Sequence, residues 1–207
     1  MSNPFRLVEN RPSRRNIVKS VAKYQDHKDD LKIDFKSRCG YCDAHDAWRH
    51  TYYEIDHFVP KFVFVKGKKI KETDYSNLVY ACRYCNNAKR SIWPTNDENL
   101  HNDGASGYIE PWLEDYEKQF HRDKDGRILG VTDLGKWMYR VFKFSRREPQ
   151  IELVWKLEKL FLLLKKLRKE QDKFDKKSNE YSEIQSKLGQ FALMYFDFDQ
   201  QLKEFNG

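Results

Sequence analysis

The sequence predicts an α+β fold: a small strand, strand, helix unit framed by two cysteine pairs and surrounded by helices, with an α-helical hairpin at the C-terminus. Three observations carry this. All four cysteines fall into two identically spaced pairs, Cys39/Cys42 and Cys82/Cys85. Between and beside them lie short runs rich in β-branched and aromatic residues, at 52–59 and 78–80. From Pro149 onward, apolar residues recur at spacings of three and four.

The elements follow in chain order. The first forty residues are basic and polar, and a weak helical pattern through Ile17, Val21 and Tyr24, with another apolar group at Leu31, Ile33 and Phe35, predicts a helical arm leading to the first cysteine pair. Residues 52–59 form a strand, ended by Pro60. The lysine-rich stretch 61–74 around Gly67 is expected to be a solvated loop. Leu78, Val79 and Tyr80 give a second strand, and residues 86–92 a short helix closed by Trp93-Pro94, because proline disfavours the helical region for the residue before it. Residues 95–107, rich in Asn, Asp, Gly and Ser, form a loop. Asp123-Lys-Asp-Gly-Arg has the chemistry of a tight hairpin; it lacks the glutamate that a calcium loop would place at its twelfth position. Thr132 is placed to cap the next helix.

The last stretch carries two apolar seams. One runs through Leu153, Leu157, Leu160, Leu164 and Leu167, the other through Tyr181, Ile184, Leu188, Phe191, Tyr195, Phe198, Leu202 and Phe205. They are out of phase across the polar segment 169–179, which predicts two antiparallel helices. The expected division is into residues 1–148 and 149–207, the second forming a coiled-coil-like hairpin whose seams are expected to be core or oligomer contacts.

Composition narrows the function. Apolar residues make up 39% of the 207 and charged ones 34%, which suits a folded rather than a disordered chain. The formal charge of +7 has the sign expected of a surface that meets phosphate. No apolar run approaches the roughly 18 residues that would span a bilayer, and the N-terminus lacks the apolar stretch of a signal peptide, so a cytoplasmic location is expected. In a reducing compartment, paired thiols are more often metal ligands than disulfides. Cys39-Gly-Tyr-Cys42 and Cys82-Arg-Tyr-Cys85 supply the four thiolates of a closed, structural zinc site. The same spacing also fits two isolated structural pairs or a redox couple. A plain zinc ribbon separates its pairs by about 15 to 20 residues, whereas 39 residues lie between Cys42 and Cys82.

That interval holds Glu54-Ile-Asp-His-Phe-Val-Pro-Lys61 and then Asn77-Leu-Val-Tyr-Ala-Cys82-Arg-Tyr-Cys85-Asn86-Asn87-Ala-Lys89. These stretches resemble the ββα-metal finger of the HNH endonuclease superfamily, in its subgroup framed by two CxxC zinc knuckles. The flanking segments, from Leu31 to Cys42 and from Phe120 to Ile128, are also similar to HNH proteins of bacterial defence islands, so the likeness spans roughly residues 30 to 148.

The resemblance implies that residues 1–148 form a nuclease domain with a basic N-terminal arm. It places the family's Asp-His pair on Asp56 and His57, its central asparagine on Asn77 and its closing metal ligand on Asn86. The last is often histidine, so this chain is an H-N-N variant, with weaker or more selective metal binding expected. Asn87 is the neighbour that a one-residue slip would pick instead.

A carboxylate and an amide oxygen suit a hard ion such as Mg²⁺ or Mn²⁺, which leaves His57 to take a proton from water. A carbonyl or amide oxygen must fix its tautomer, and Asn77 is the candidate for pinning the loop that orients it. Because adjacent residues of a strand face opposite ways, a twist or bulge is expected at Asp56 and His57. Lys61, Lys89 and Arg90 are candidates for holding phosphates.

The implied function is metal-dependent hydrolysis of DNA, in anti-phage defence, with an ATPase partner or self-association through the C-terminal helices. A zinc-stabilised binding module without chemistry, and an RNA-directed nuclease, are the competing readings.

Overall fold

The computed structural model describes residues 3–17, 19–48, 51–67 and 69–205. Its regular elements are β1 (Asn3–Pro4), α1 (Lys28–Asp34), β2 (Tyr53–His57), α2 (Lys61–Gly67), β3 (Leu78–Cys82), α3 (Arg83–Lys89), α4 (Glu114–Glu117), β4 (Phe120–Arg122), β5 (Ile128–Gly130), α5 (Asp133–Val141), α6 (Glu148–Gln171) and α7 (Asn179–Glu204). The chain divides into two compact units, Met1–Glu148 and Pro149–Gly207.

In the first unit β2 and β3 pair antiparallel, from Tyr53 opposite Cys82 to His57 opposite Leu78, and α3 follows directly. This is a ββα unit. All five residues of β3 are buried, as a strand covered on both faces must be. Cys82 stays extended and caps α3, so the second cysteine pair sits at the junction of strand and helix. A second sheet, in the order β1, β4, β5, forms on the hairpin whose turn carries Gly126 at φ 91°, with Asp123 Oδ1 accepting from the amides of Asp125 and Arg127. Thr132 Oγ1 accepts from the Gly135 amide at 2.9 Å and caps α5.

The second unit is the expected helix pair. Ser178 caps α7 by accepting from the Tyr181 amide. The Gln171 side chain donates to Gln185 Oε1 at 2.7 Å, and Lys156 lies over the Phe198 ring, so the two helices run antiparallel. Among the described residues no helix is long and apolar enough to cross a membrane.

Four local expectations are corrected. The expected arm is helical only in its second half: Ile17 and Val21 lie in irregular chain, and helix begins with a 3-10 turn over Tyr24–His27 and continues as α1, which carries Leu31 and Ile33. Instead of a continuous helix, ion pairs tie the arm down, Arg15 to Asp30 and Asp34. Residues 61–67 form α2 rather than a loop. Pro60 stands where a missing N–H is harmless, its carbonyl accepts from Val63 and Phe64, and those two side chains are buried. The helix expected at 86–92 starts three residues earlier, because the cysteine knuckle is itself its first turn. Finally, the ladder of β2 and β3 is regular through Asp56 and His57, with no bulge. Among the described residues β2 has one neighbour in its sheet, and its open edge is where residues facing opposite ways can border one cleft.

Candidate functional site

Three backbone features bring the cysteines together. Asp43 adopts φ 63° and donates its amide to Cys39 O, closing the first knuckle. The Gly40 amide donates to Tyr80 O, docking that knuckle on β3. A Cβ at Gly40 would lie 2.7 Å from the Phe35 ring and 2.8 Å from Val79, so the approach requires glycine. As a result the four Sγ atoms lie within 4.8 Å of one another, all buried, with Cys42 and Cys82 3.8 Å apart.

Four sulfurs at the Zn–S length of about 2.3 Å on tetrahedral corners are about 3.8 Å apart. The cluster therefore has the geometry to hold a zinc ion, with no position open for chemistry. Burial pushes the Cys39 and Cys85 thiols well above the usual range, so a cation is what would keep them as thiolates. Two arginines border the cluster: Arg147 Nη2 is 3.3 Å from Cys85 Sγ, and Arg122 donates to Cys42 O at 2.9 Å. Burial lowers the Arg147 pKa, but its electrostatic contact with Cys85, Cys82 and Cys42 outweighs it and raises the net value, so the guanidinium stays charged beside the cluster.

Beyond the cluster, an open cleft of about 360 Å³ is lined by Asp56, His57, Lys61, Asn86 and Arg90, together with Ile55, Pro60, Phe62 and Ser91. His57 is held from several sides. Its Nε2 donates to the Glu72 carbonyl at 2.9 Å, the Tyr24 ring packs edge-on at 4.7 Å, and Phe64 lies 5.7 Å away. With Nε2 engaged, Nδ1 is the nitrogen left with a lone pair. Burial pulls the His57 pKa below its usual value, helped by the charge of Lys61 and opposed by Glu72 and Asp56, so the imidazole is neutral at physiological pH.

Asn77 binds the chain just after the histidine. Its Oδ1 accepts from the Val59 amide at 2.8 Å, its Nδ2 donates to Val59 O at 3.1 Å, and its own carbonyl accepts from Phe58 N. Asn86, on the first turns of α3, donates Nδ2 to Glu54 Oε2 at 2.8 Å, which leaves its Oδ1 available as a hard oxygen ligand. Asp56 is buried, and its Oδ2 receives the Tyr41 hydroxyl and the Lys89 ammonium.

Lys89 corrects the sequence reading. Expected on the phosphate-binding face, it is instead fully buried, its Nζ 2.9 Å from both Asp56 Oδ2 and His57 O. The reason is helical: Cys85, Ala88 and Lys89 form one i, i+3, i+4 face, and that face turns inward with Cys85 of the cysteine cluster. The two other basic candidates line the cleft. Lys61 pairs with Glu72 and lies 5.0 Å over the Tyr24 ring, while Arg90 is exposed.

Several partners escaped sequence reasoning. Glu54 was within reach, since it precedes Asp56 by two and so shares its face of the strand. Glu72 acts through its backbone carbonyl, which leaves no side-chain signature, and Tyr24, Tyr41 and Arg147 arrive from other parts of the chain.

Residues 39–91 match the model of the family HNH, described as HNH endonuclease. The match begins at the first cysteine and takes in both knuckles and every predicted ligand and base. No curated protein and no solved structure matches the chain.

Proposed function

We propose, from the match of residues 39–91 to the HNH endonuclease family, that the protein is a metal-dependent endonuclease that hydrolyses phosphodiester bonds in DNA. The observation that carries this is the cleft itself: a neutral imidazole with a fixed tautomer shares it with a carboxylate and an amide oxygen. In this reading His57 Nδ1 takes the proton from the attacking water, and the Glu72 carbonyl supports the positive charge that the ring then acquires. Asn77 holds the turn that orients His57. A Mg²⁺ or Mn²⁺ ion held by Asp56 and Asn86 would neutralise charge building on the phosphate and its leaving oxygen. Lys61 and Arg90 hold flanking phosphates, and a zinc ion on the four cysteines is structural.

The test is plasmid cleavage with Mg²⁺ or Mn²⁺ by wild type and His57→Ala, alongside single-stranded DNA and RNA. His57→Ala is expected to lose activity with zinc content and folding unchanged; full activity in this variant would overturn the assignment. A binding module without chemistry gains some weight from the Lys89 contact to Asp56, and retention of nucleic acid with no metal-dependent product would favour it. A role in anti-phage defence beside an ATPase, and self-association through α6 and α7, belong to the same reading and are tested by co-purification and by mass in solution.

A further inference from the structure

A buried ammonium already sits where a metal ligand is proposed. Lys89 has no exposed surface, and its Nζ contacts Asp56 Oδ2 and the His57 carbonyl at 2.9 Å each. The Tyr41 hydroxyl donates to the same Oδ2. Both side-chain partners of the carboxylate therefore fall on one oxygen, and among the described residues no hydrogen bond falls on Oδ1. That oxygen is therefore the one left for a ligand on a carboxylate that lines the cleft.

We infer that Lys89 is the built-in counter-ion of Asp56: it holds the carboxylate aimed, and by repulsion it keeps the cleft's affinity for a divalent cation low. The inference rests on the reading of Asp56 as a ligand. A lone buried carboxylate with no cation nearby is strongly destabilising, so the ammonium lets the site keep its shape before any ion arrives. The same charge then opposes the ion, because both share the single negative charge of Asp56. By also gripping the His57 carbonyl, Lys89 ties the backbone of the candidate base to the ligand beside it. It is thus a positioning residue, not a phosphate contact.

The experiment is titration of the full-length, zinc-loaded chain with Mn²⁺, read by calorimetry and by the unfolding temperature, for wild type, Lys89→Met and the double variant D56N/K89M. Lys89→Met should bind Mn²⁺ at least about tenfold more tightly than wild type, since a full charge has left the ligand's side. Its unfolding temperature should fall without Mn²⁺ and recover on addition by more than wild type gains. Equal or weaker Mn²⁺ binding by Lys89→Met overturns the inference. Should Lys89→Met fail to fold without the ion, the double variant decides: with neither charge buried it should fold and gain nothing from Mn²⁺, whereas a double variant as unstable as the single one overturns the pairing. A chain that meets the binding expectations yet cuts no nucleic acid upholds the role of Lys89 and removes the nuclease reading alone.

Discussion

Arg90 occupies a backbone conformation that arginine rarely takes, φ 44° and ψ −125°, directly after α3. The Ile92 amide donates to Lys89 O at 2.9 Å, so residues 89–92 form a turn whose second position ordinarily calls for glycine. Strain of this kind is about 1 kcal/mol or more and is retained where a side chain is needed. Arg90→Gly is therefore expected to raise the unfolding temperature by about 2–4 °C while weakening nucleic-acid binding; a variant that is both less stable and unchanged in binding would contradict this.

His57 gives the pH prediction. Burial holds its pKa below the usual 6.5, so the imidazole stays neutral as pH falls to that value. The acid limb of kcat/KM should therefore lie below pH 6.5. Stability carries the same sign: the unfolded chain binds the proton first, so the contribution of His57 is complete above about pH 6.5 and is lost as pH falls through the lowered value. A limb at or above 6.5 would show that His57 is not the titrating base. Removing the Lys61 charge, which lowers this pKa, should move the limb upward.

At the scale of elements, the ββα unit has five-residue strands and a seven-residue helix, too little on its own to be stable. The two knuckles tie β3 and α3 to the segment after α1, so ion binding and folding should be one event. Stripping zinc with a chelator, or Cys85→Ser, is expected to abolish cooperative unfolding of the first unit and to expose its thiols to a colorimetric reagent. Retention of a sharp transition would mean that packing alone suffices.

The elements also show where pattern reading succeeds. Both strands, the 123–127 hairpin, the Thr132 cap and the C-terminal helix pair were legible, because each is set by nearest neighbours: alternation, turn chemistry, a hydroxyl before a helix, and an apolar seam. α2 was not. Its lysines read as solvent-facing, and only the burial of Val63 and Phe64 against other parts of the chain decides that the segment is helical.

Across the whole molecule, the charge of +7 makes a prediction about any nucleic-acid complex. Binding should weaken as salt rises, and the slope of log K against log salt should lessen by about one for each phosphate contact removed. Substituting Lys61 or Arg90 should each show this, whereas substituting Lys89 should leave the slope unchanged. Filter binding at several salt concentrations measures all three, and a slope change on losing Lys89 would return it to the surface.

The sequence by itself determined the chemistry on offer: four thiols in two knuckles, and one imidazole, one carboxylate and two carboxamides at the spacing of an HNH domain. Those are properties of residue type and interval, which a linear chain states outright. Only the tertiary structure decided which nitrogen of His57 is left with a lone pair, which oxygen of Asp56 is already held, and that Lys89 points inward while Arg90 points out. Such choices depend on partners such as Glu72, Tyr24 and Tyr41, which lie some 15 to 33 residues from the side chains they hold. Nothing in local propensity records a contact made across that distance.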